Sequence, residues 1–505
     1  MNRRNSKEEN GITLLALSIT IIILLILAGI TIAGLTGKNG LINNTEEAKK
    51  QTEIANEKEI LERATAGAMA QDSRGNIKKE NLQNKLNNET GEGKTEVSDV
   101  GEEFEVLFTD SNRYYTIDKN GNIGDSKEFI EDKNPGDITK DQNGNTVDGS
   151  IDHPYEIWCI EDLVVFSNLV NGEGIELKDG KAVKIENAKD FYGEYVVLKR
   201  SLNFKSKYSY ANSERTDFGD INGNAEDGNT LMNEMTTGTG FKPIGRVGNY
   251  NYFYFKGNFD GENNSINNLY KNGFFGYITS AEIKNIKLYS QSKNRRALVN
   301  EAGGDVIINN CHNFINVGKV DYENDIRYAG IISYNTGDIV IINCSNHGKI
   351  TGSGYAIGGI IGYSTAIGKI YISNTYNTGE INFDKSGISY SGAGGIIGLN
   401  QYANANIEIN NCYNTGNITG KAVYNGSIIG NTSEATTIIN NSYIIENEGT
   451  NIIGNKGEYT GNVEVKTLEE IKSQEFVDTL NNNILDKENW NKWYLGKDNF
   501  PTCEK

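Results

Sequence analysis

Cysteine and histidine recur together at Cys311, His312, Cys344 and His347. Thiolates and imidazoles converging from neighbouring stretches of chain could hold a metal such as zinc. The surrounding pattern points elsewhere. His312 falls at the repeat position of Ser345, Tyr376 and Tyr413, and His347 at that of Phe314, Thr378 and Thr415, so both read as exposed corner substitutions. Polysaccharide cleavage would need paired carboxylates, yet Glu380, Asp384, Glu408 and Glu434 stand isolated. Only three histidines are present, and one of them, His153, lies ahead of the repeats, which leaves few bases for a nucleophilic triad. Asp118, Asn120 and Asn122 alternate oxygen side chains as a calcium loop does, as do Asp141, Asn143 and Asn145, or Asp220, Asn222 and Asn224. None has the glycine and distal glutamate of an EF-hand, so they read as Asx turns. With no HExxH and no glycine-rich phosphate loop, the expectation is a chain that is not an enzyme, with no catalytic residue, no metal and no cofactor.

Self-similarity dominates the second half. A glycine followed by two apolar residues recurs in Gly273-Phe274-Phe275-Gly276, Gly330-Ile331-Ile332-Ser333, Gly359-Ile360-Ile361-Gly362 and Gly395-Ile396-Ile397-Gly398. A second element, Asn-Cys-x-Asn-x-Gly-x-Ile, appears from Asn343 and Asn411, with variants from Ser373, Asn310 and Asn441. Its cysteine-equivalent positions Cys311, Cys344, Thr375, Cys412 and Ser442 are 33, 31, 37 and 30 residues apart. A period near thirty made of short β-branched runs such as 370–373 and 407–410 predicts stacked coils, with Ile on Ile inside, asparagine and glycine at the corners, and a packing ladder at the small position. The repeats resemble the GLUG motif of large bacterial surface proteins and of some immunoglobulin-cleaving peptidases outside their catalytic domains. The stretches 154–171, 195–204, 241–245 and 255–270 are similar to the coils that precede such repeats, with a capping helix over Glu161 to Asn171.

Residues 12–36 form one uncharged apolar run behind Arg3, Arg4, Lys7 and Gly11. As a helix at about 1.5 Å per residue it reaches roughly 36 Å, enough to cross a bilayer. It is too long for a secretory signal core. A charged leader, a glycine and a long apolar helix resemble the type IV prepilin signal. That resemblance implies cleavage between Gly11 and Ile12 by a prepilin peptidase, with Ile12 as the methylated new N-terminus. The glutamate usual at the fifth mature position of major pilins is Ala16 here, which favours a minor or membrane-retained subunit. The basic leader places the N-terminus in the cytoplasm and the rest outside, as a single-pass protein of the cell membrane.

The formal charge of -18 argues against nucleic acid as a partner. The expected fold class is mainly β: a transmembrane pilin-like α-helix with a small α+β head, then a right-handed parallel β-helix, or β-solenoid, of GLUG-like repeats. The expected divisions are a leader at 1–11, a membrane helix at 12–36, a helix extension and head at 37–124, a linker at 125–150, a cap and first coils at 151–290, repeats at 291–456 and a C-terminal cap at 457–505. The function this implies is a bacterial surface protein displaying its solenoid for adhesion, with a glycan or protein ligand met through exposed Tyr376, Tyr390, Tyr402, Tyr413 and Tyr443. Other pilin-like subunits are the expected assembly partners. The alternatives are a surface polysaccharide-active enzyme and a structural stalk or minor pseudopilin.

Overall fold

The computed structural model describes residues 41–72, 75–100, 103–111, 113–128, 135–178, 181–204, 240–247, 251–290, 292–319, 326–386, 388–433, 435–445, 451–496 and 498–504. The apolar run 12–36 and the Gly11–Ile12 bond lie outside them. Among the described residues no helix is long and apolar enough to cross a membrane. The chain divides into two compact units, Met1–Phe129 and Ile130–Lys505.

The first unit holds helices α1 (Leu41–Met69) and α2 (Lys79–Thr90) and an antiparallel sheet of Thr95–Val100, Glu103–Phe108, Arg113–Asp118 and Lys127–Glu128. Glu103–Phe108 and Arg113–Asp118 pair as a hairpin, with Val106 opposite Tyr115. Leu61, Ala64, Leu82, Leu86, Val106 and Ile117 make its core. Glu57 on α1 is buried and turns inward. Its carboxylate accepts from Arg113 Nε at 2.9 Å and Nη2 at 3.0 Å and from the Tyr115 hydroxyl at 2.6 Å. A two-point guanidinium clasp thus fixes α1 to the third strand, and burial together with Glu57 raises the Tyr115 pKa.

In the second unit the strands form long parallel sheets, fifteen-stranded and ten-stranded among the described residues, with a four-stranded third sheet beside them. This is the arrangement of a β-solenoid. In the fifteen-stranded sheet Phe259, Ile283, Ile308, Ile341, Ile372, Ile409 and Ile439 are successive register partners. In the ten-stranded sheet the second apolar residue of the glycine motif, at Phe275, Ile332, Ile361 and Ile397, and its equivalents Val299, Ile429 and Ile453 in coils without the leading glycine give the matching inner row. All of these side chains are buried. Ile on Ile therefore fills the interior coil after coil.

Both asparagines of the repeat motif stack. The first, at Asn310, Asn343, Asn374, Asn411 and Asn441, has positive φ between 46° and 56°, a corner that asparagine tolerates better than other non-glycine residues. Its amide bridges coils, as in Asn374 to Asn343 at 2.8 Å and Asn411 to Asn374 at 2.9 Å. The second, at Asn313, Asn346, Asn377 and Asn414, is buried and forms an unbroken chain, each Nδ2 donating to the next Oδ1 at 2.7, 2.7 and 2.8 Å. The other amide proton of Asn377 goes to Gly379 O at 3.0 Å. The motif glycine is needed here because a Cβ on Gly359 would stand 2.1 Å from Gly395 O and 2.6 Å from Asn377 Cγ.

Two regions depart from expectation. Within 125–150, read as a linker, Ile138 and Val147 enter the core of the second unit, and Gly136 N donates to Asp162 at the start of α3 (Ile160–Asn171). The Asx turn at 141–145 supplies the polarity that masked this: Asp141 Oδ1 accepts from the Asn143 and Asn145 amides at 2.8 Å each. The region 457–505, read as an end cap, begins as one more strand, Thr460–Lys466, paired with Thr436–Ile445. After helices α4 (Leu468–Ile471) and α5 (Gln474–Asn482) it then runs back along the side of the stack. Asn411 donates to Leu480 O, Asn374 to Asn491 O and Asn343 to Asn489 O, at 2.8–3.0 Å.

Replacing Asn377 with Ala removes one link of the buried amide chain and leaves its neighbours unpaired, at a cost of about 2–4 kcal/mol. The urea midpoint of N377A, and likewise of G359A, is expected to fall well below wild type. A midpoint unchanged in both would remove the ladder as a source of stability.

Candidate functional site

Residues with candidate chemistry separate according to which side of a strand they occupy. Successive side chains on a strand point to opposite faces, so Cys311 lies inside the coil and His312 outside, and the four Cys and His residues do not converge. Cys311, Cys344 and Cys412 are free, buried, and each donates to a carbonyl two residues back, at 3.3, 3.1 and 3.2 Å. Burial pushes the Cys412 thiol up to about 12. With Thr375 and Ser442 they form the expected small-residue row. Among the described residues no group of three or more His, Cys, Asp and Glu is placed to hold a metal ion. Of the scattered acids, Glu380 pairs with Lys349 and Glu408 accepts from Asn410.

On the outside of the fifteen-stranded sheet, Lys287, His312, Ser345, Tyr376, Tyr413 and Tyr443 are successive register partners. The expectation that these tyrosines and histidines are exposed is overturned. The returning C-terminal segment covers them: Tyr413 bonds to Pro501 O, Tyr376 to Thr502 and Glu504, and Asn483 to Tyr443. Trp493 packs between Tyr376 and Tyr413, with centroids 5.5 and 5.7 Å away.

Ser345, His347 and Glu504 meet beneath this segment, but not as a triad. Ser345 Oγ and Glu504 Oε1 both contact His347 Nε2 at 3.0 Å, while Nδ1 faces Thr378 at 3.0 Å. A catalytic base uses one nitrogen for the nucleophile and the other for the carboxylate. The cluster is instead a clasp holding the C-terminus. Burial would raise the Glu504 pKa, yet His312, His347 and Lys287 around it hold the carboxyl well below the usual range. Burial pushes His312 down to about 3 despite the nearby Glu504, so His312 is neutral at pH 7.

The ten-stranded sheet carries a second aromatic row, half-buried at Tyr277 and Tyr334 and buried at Tyr363 and Leu399. Following its inner Ile row, Tyr277, Glu301, Tyr334, Tyr363 and Leu399 are register partners on successive coils. Tyr334 and Tyr363 stack at 5.3 Å and 19°, and the Arg327 guanidinium lies 4.0 Å over Tyr334. Tyr355 and Tyr390 lie beside Tyr363, and Tyr390 and Tyr402 are exposed, as expected of those two. At the other end Tyr277 donates to Glu301 at 2.7 Å and meets Tyr254 edge-on at 4.8 Å, with Tyr252 stacked on Tyr254. Burial raises the Glu301 pKa although the Tyr277 hydrogen bond and Arg327 oppose it. Tyr192, Tyr254, Tyr277, Lys256, Thr279 and Thr336 line an open groove of about 510 Å³ there. The sequence does carry a signal for this row: Tyr277, Tyr334 and Tyr363 each immediately follow the four-residue glycine motif.

No family model matches the chain, and no curated protein matches it. A solved structure described as a putative immunoglobulin A1 protease from Bacteroides ovatus is similar, at 17% identity and a TM-score of 0.43, over 71% of this chain and 94% of that one. That score is too low to carry an argument about fold or activity. The pilin and GLUG resemblances rest on the residues that carry them.

The clasp has a pH signature. His312 takes its proton near pH 6.5 when unfolded and near 3 when folded, so the unfolded chain binds more protons between those values and stability falls as pH drops through them. The loss is on the order of 4 kcal/mol by pH 3. Glu504, depressed when folded, adds a further loss below its ordinary value of 4.5. The melting temperature is expected to fall steadily from pH 6.5 downward, and H312S, which installs the residue found one coil on, to flatten the limb above pH 4.5. An identical profile in H312S would contradict the assignment.

Proposed function

We propose that this chain is a bacterial surface protein, held or assembled through a prepilin-type N-terminal helix, whose solenoid presents the outward tyrosine row as an adhesive face. The observation that supports the reading is one register row holding the half-buried Tyr277 and Tyr334, with Glu301 between them and the buried Tyr363 next to Tyr334, together with the exposed Tyr390 and Tyr402. Contiguous rings with polar tips suit recognition surfaces, where an apolar body and a hydrogen-bonding end act together. The solenoid hand that fits is right-handed, and the GLUG-like coils serve as its repeating unit. Cleavage after Gly11, methylation of Ile12, passage of residues 12–36 through the membrane and display of the bulk outside the cell belong to the same reading. The tyrosine row is its binding element, and no catalytic step is assigned to it.

Cells displaying the chain are expected to adhere to their target surface, and Y334A with Y390A to lower adherence at least several-fold without changing the amount displayed. Mass spectrometry of the chain made alongside a prepilin peptidase is expected to show a mature N-terminus at Ile12. Full adherence by the tyrosine variant would overturn the binding face, and an intact Met1 would reduce the N-terminal segment to a plain anchor.

A further inference from the structure

We infer that the groove beside Tyr254 and Tyr277 is a binding site for a neutral oligosaccharide, a refinement that rests on the adhesive reading above. At about 510 Å³ the groove has the size of a small-ligand site. Its walls combine two kinds of group. Tyr192, Tyr254 and Tyr277 offer ring faces and edges, and Thr279, Ser280 and Thr336 offer hydroxyls. A pyranose presents the complementary pair, a C–H face that lies on an aromatic ring and a rim of hydroxyls that both donate and accept. A purely apolar peptide would leave the wall hydroxyls unpaired on burial, which is costly.

Charge decides which class of glycan fits. The chain carries a formal charge of -18, Glu301 is the register partner of Tyr277 on the next coil, and the one cation in the wall, Lys256, is already paired with Asp190 at 3.0 Å. An acidic sugar in the groove would therefore meet the Glu301 carboxylate with the one lining cation already paired, while a neutral one meets none of this cost. The Tyr277 hydroxyl donates to Glu301, which leaves its oxygen lone pairs to accept from a sugar hydroxyl. Tyr252, stacked on Tyr254 and 56% exposed, widens the platform. Past Glu301 on the next coil, the row goes on to the half-buried Tyr334, which stacks on the buried Tyr363. A chain of several sugar units can follow that row, which a lone monosaccharide would not use.

The test presents the full-length chain to an array of neutral oligosaccharides (glucans, galactans, mannans and N-acetylhexosamine oligomers) together with uronate- and sialate-containing glycans. The expected result is retention of one or more neutral glycans, an affinity at least tenfold weaker in Y254A, and recovery in Y254W, which restores a ring. Y192A, at a side chain 73% exposed, provides the same test should Y254A fail to fold, and is expected to weaken binding in the same direction. Retention of acidic glycans alone, or of none, or equal binding by Y254A and Y192A, would overturn the inference. Adherence that survives Y254A and Y192A but fails in Y334A with Y390A would overturn the groove while leaving the adhesive face intact. Adherence unaffected by all four changes would remove both.

Discussion

From Asn313 to Asn414 each coil is tied to the next by an asparagine side chain bonded to its counterpart. The carboxamide suits this because it carries a donor and an acceptor, so each residue accepts from one neighbour and donates to the other, with a proton left for its own loop. The buried Asn346 and Asn377 show this arrangement, and Asn414 ends the chain by accepting from Asn377 and donating to the Gly416 and Ser427 carbonyls. The corner asparagines add the left-handed turn that lets a short strand end and the next face begin. Because the bond forms only when equivalent residues are level, it fixes register. Register in turn places Ile over Ile inside and tyrosine over tyrosine outside. Where the corner row runs out, Asn411 Oδ1 is buried without a partner among the described residues, and the linkage passes instead to the Asn440–Asn410 pair at 2.9 Å.

The two outer sides of the stack have been given different tasks. Along the fifteen-stranded sheet the returning C-terminal segment takes up the spare capacity of the asparagine corners and buries Tyr376, Tyr413 and Tyr443 under Phe476, Val477 and Trp493. Its last turn is held by the Glu504 clasp on His347, with Lys287 3.6 Å away. Parallel sheets expose long rows of side chains that could pair or aggregate, and a covering segment is one way of managing them. The ten-stranded sheet leaves Tyr390 and Tyr402 exposed and Tyr277 and Tyr334 half-buried, and the proposed binding face lies on that side.

The solenoid was legible because its determinants are local and repeat. The Asn-x-x-Asn spacing, the glycine motif and the small residue at Cys311, Cys344 and Cys412 each recur at the same interval, and each proved to be a stacked row. What sequence could not show is contact across long separations. Tyr376 sits on an outward position and reads as exposed, but its cover comes from Thr502 and Glu504, 126 and 128 residues away. His312 was misread for the same reason. Glu57 reads as one charge among many on a solvated helix until Arg113 and Tyr115, 56 and 58 residues on, close over it. Ile138 and Val147 were lost among Asp, Asn and Gly because two buried residues in a turn-rich stretch leave no periodicity. The tyrosine row of the ten-stranded sheet was the converse case, visible in the residue after each glycine motif but not separable from ordinary surface tyrosine without the register.

The most direct test of this account is disulfide trapping across neighbouring coils. Lys369 and Asn406 are exposed register partners in the fifteen-stranded sheet, so K369C with N406C places two cysteines on strands about 4.8 Å apart, within disulfide reach. Oxidation is expected to close that bond rapidly in the folded chain, and not the bond in K369C with E408C, where a two-residue slip carries the pair beyond about 7 Å. Closure of the slipped pair in preference to the level one would contradict the stacking on which both the asparagine ladders and the tyrosine row depend.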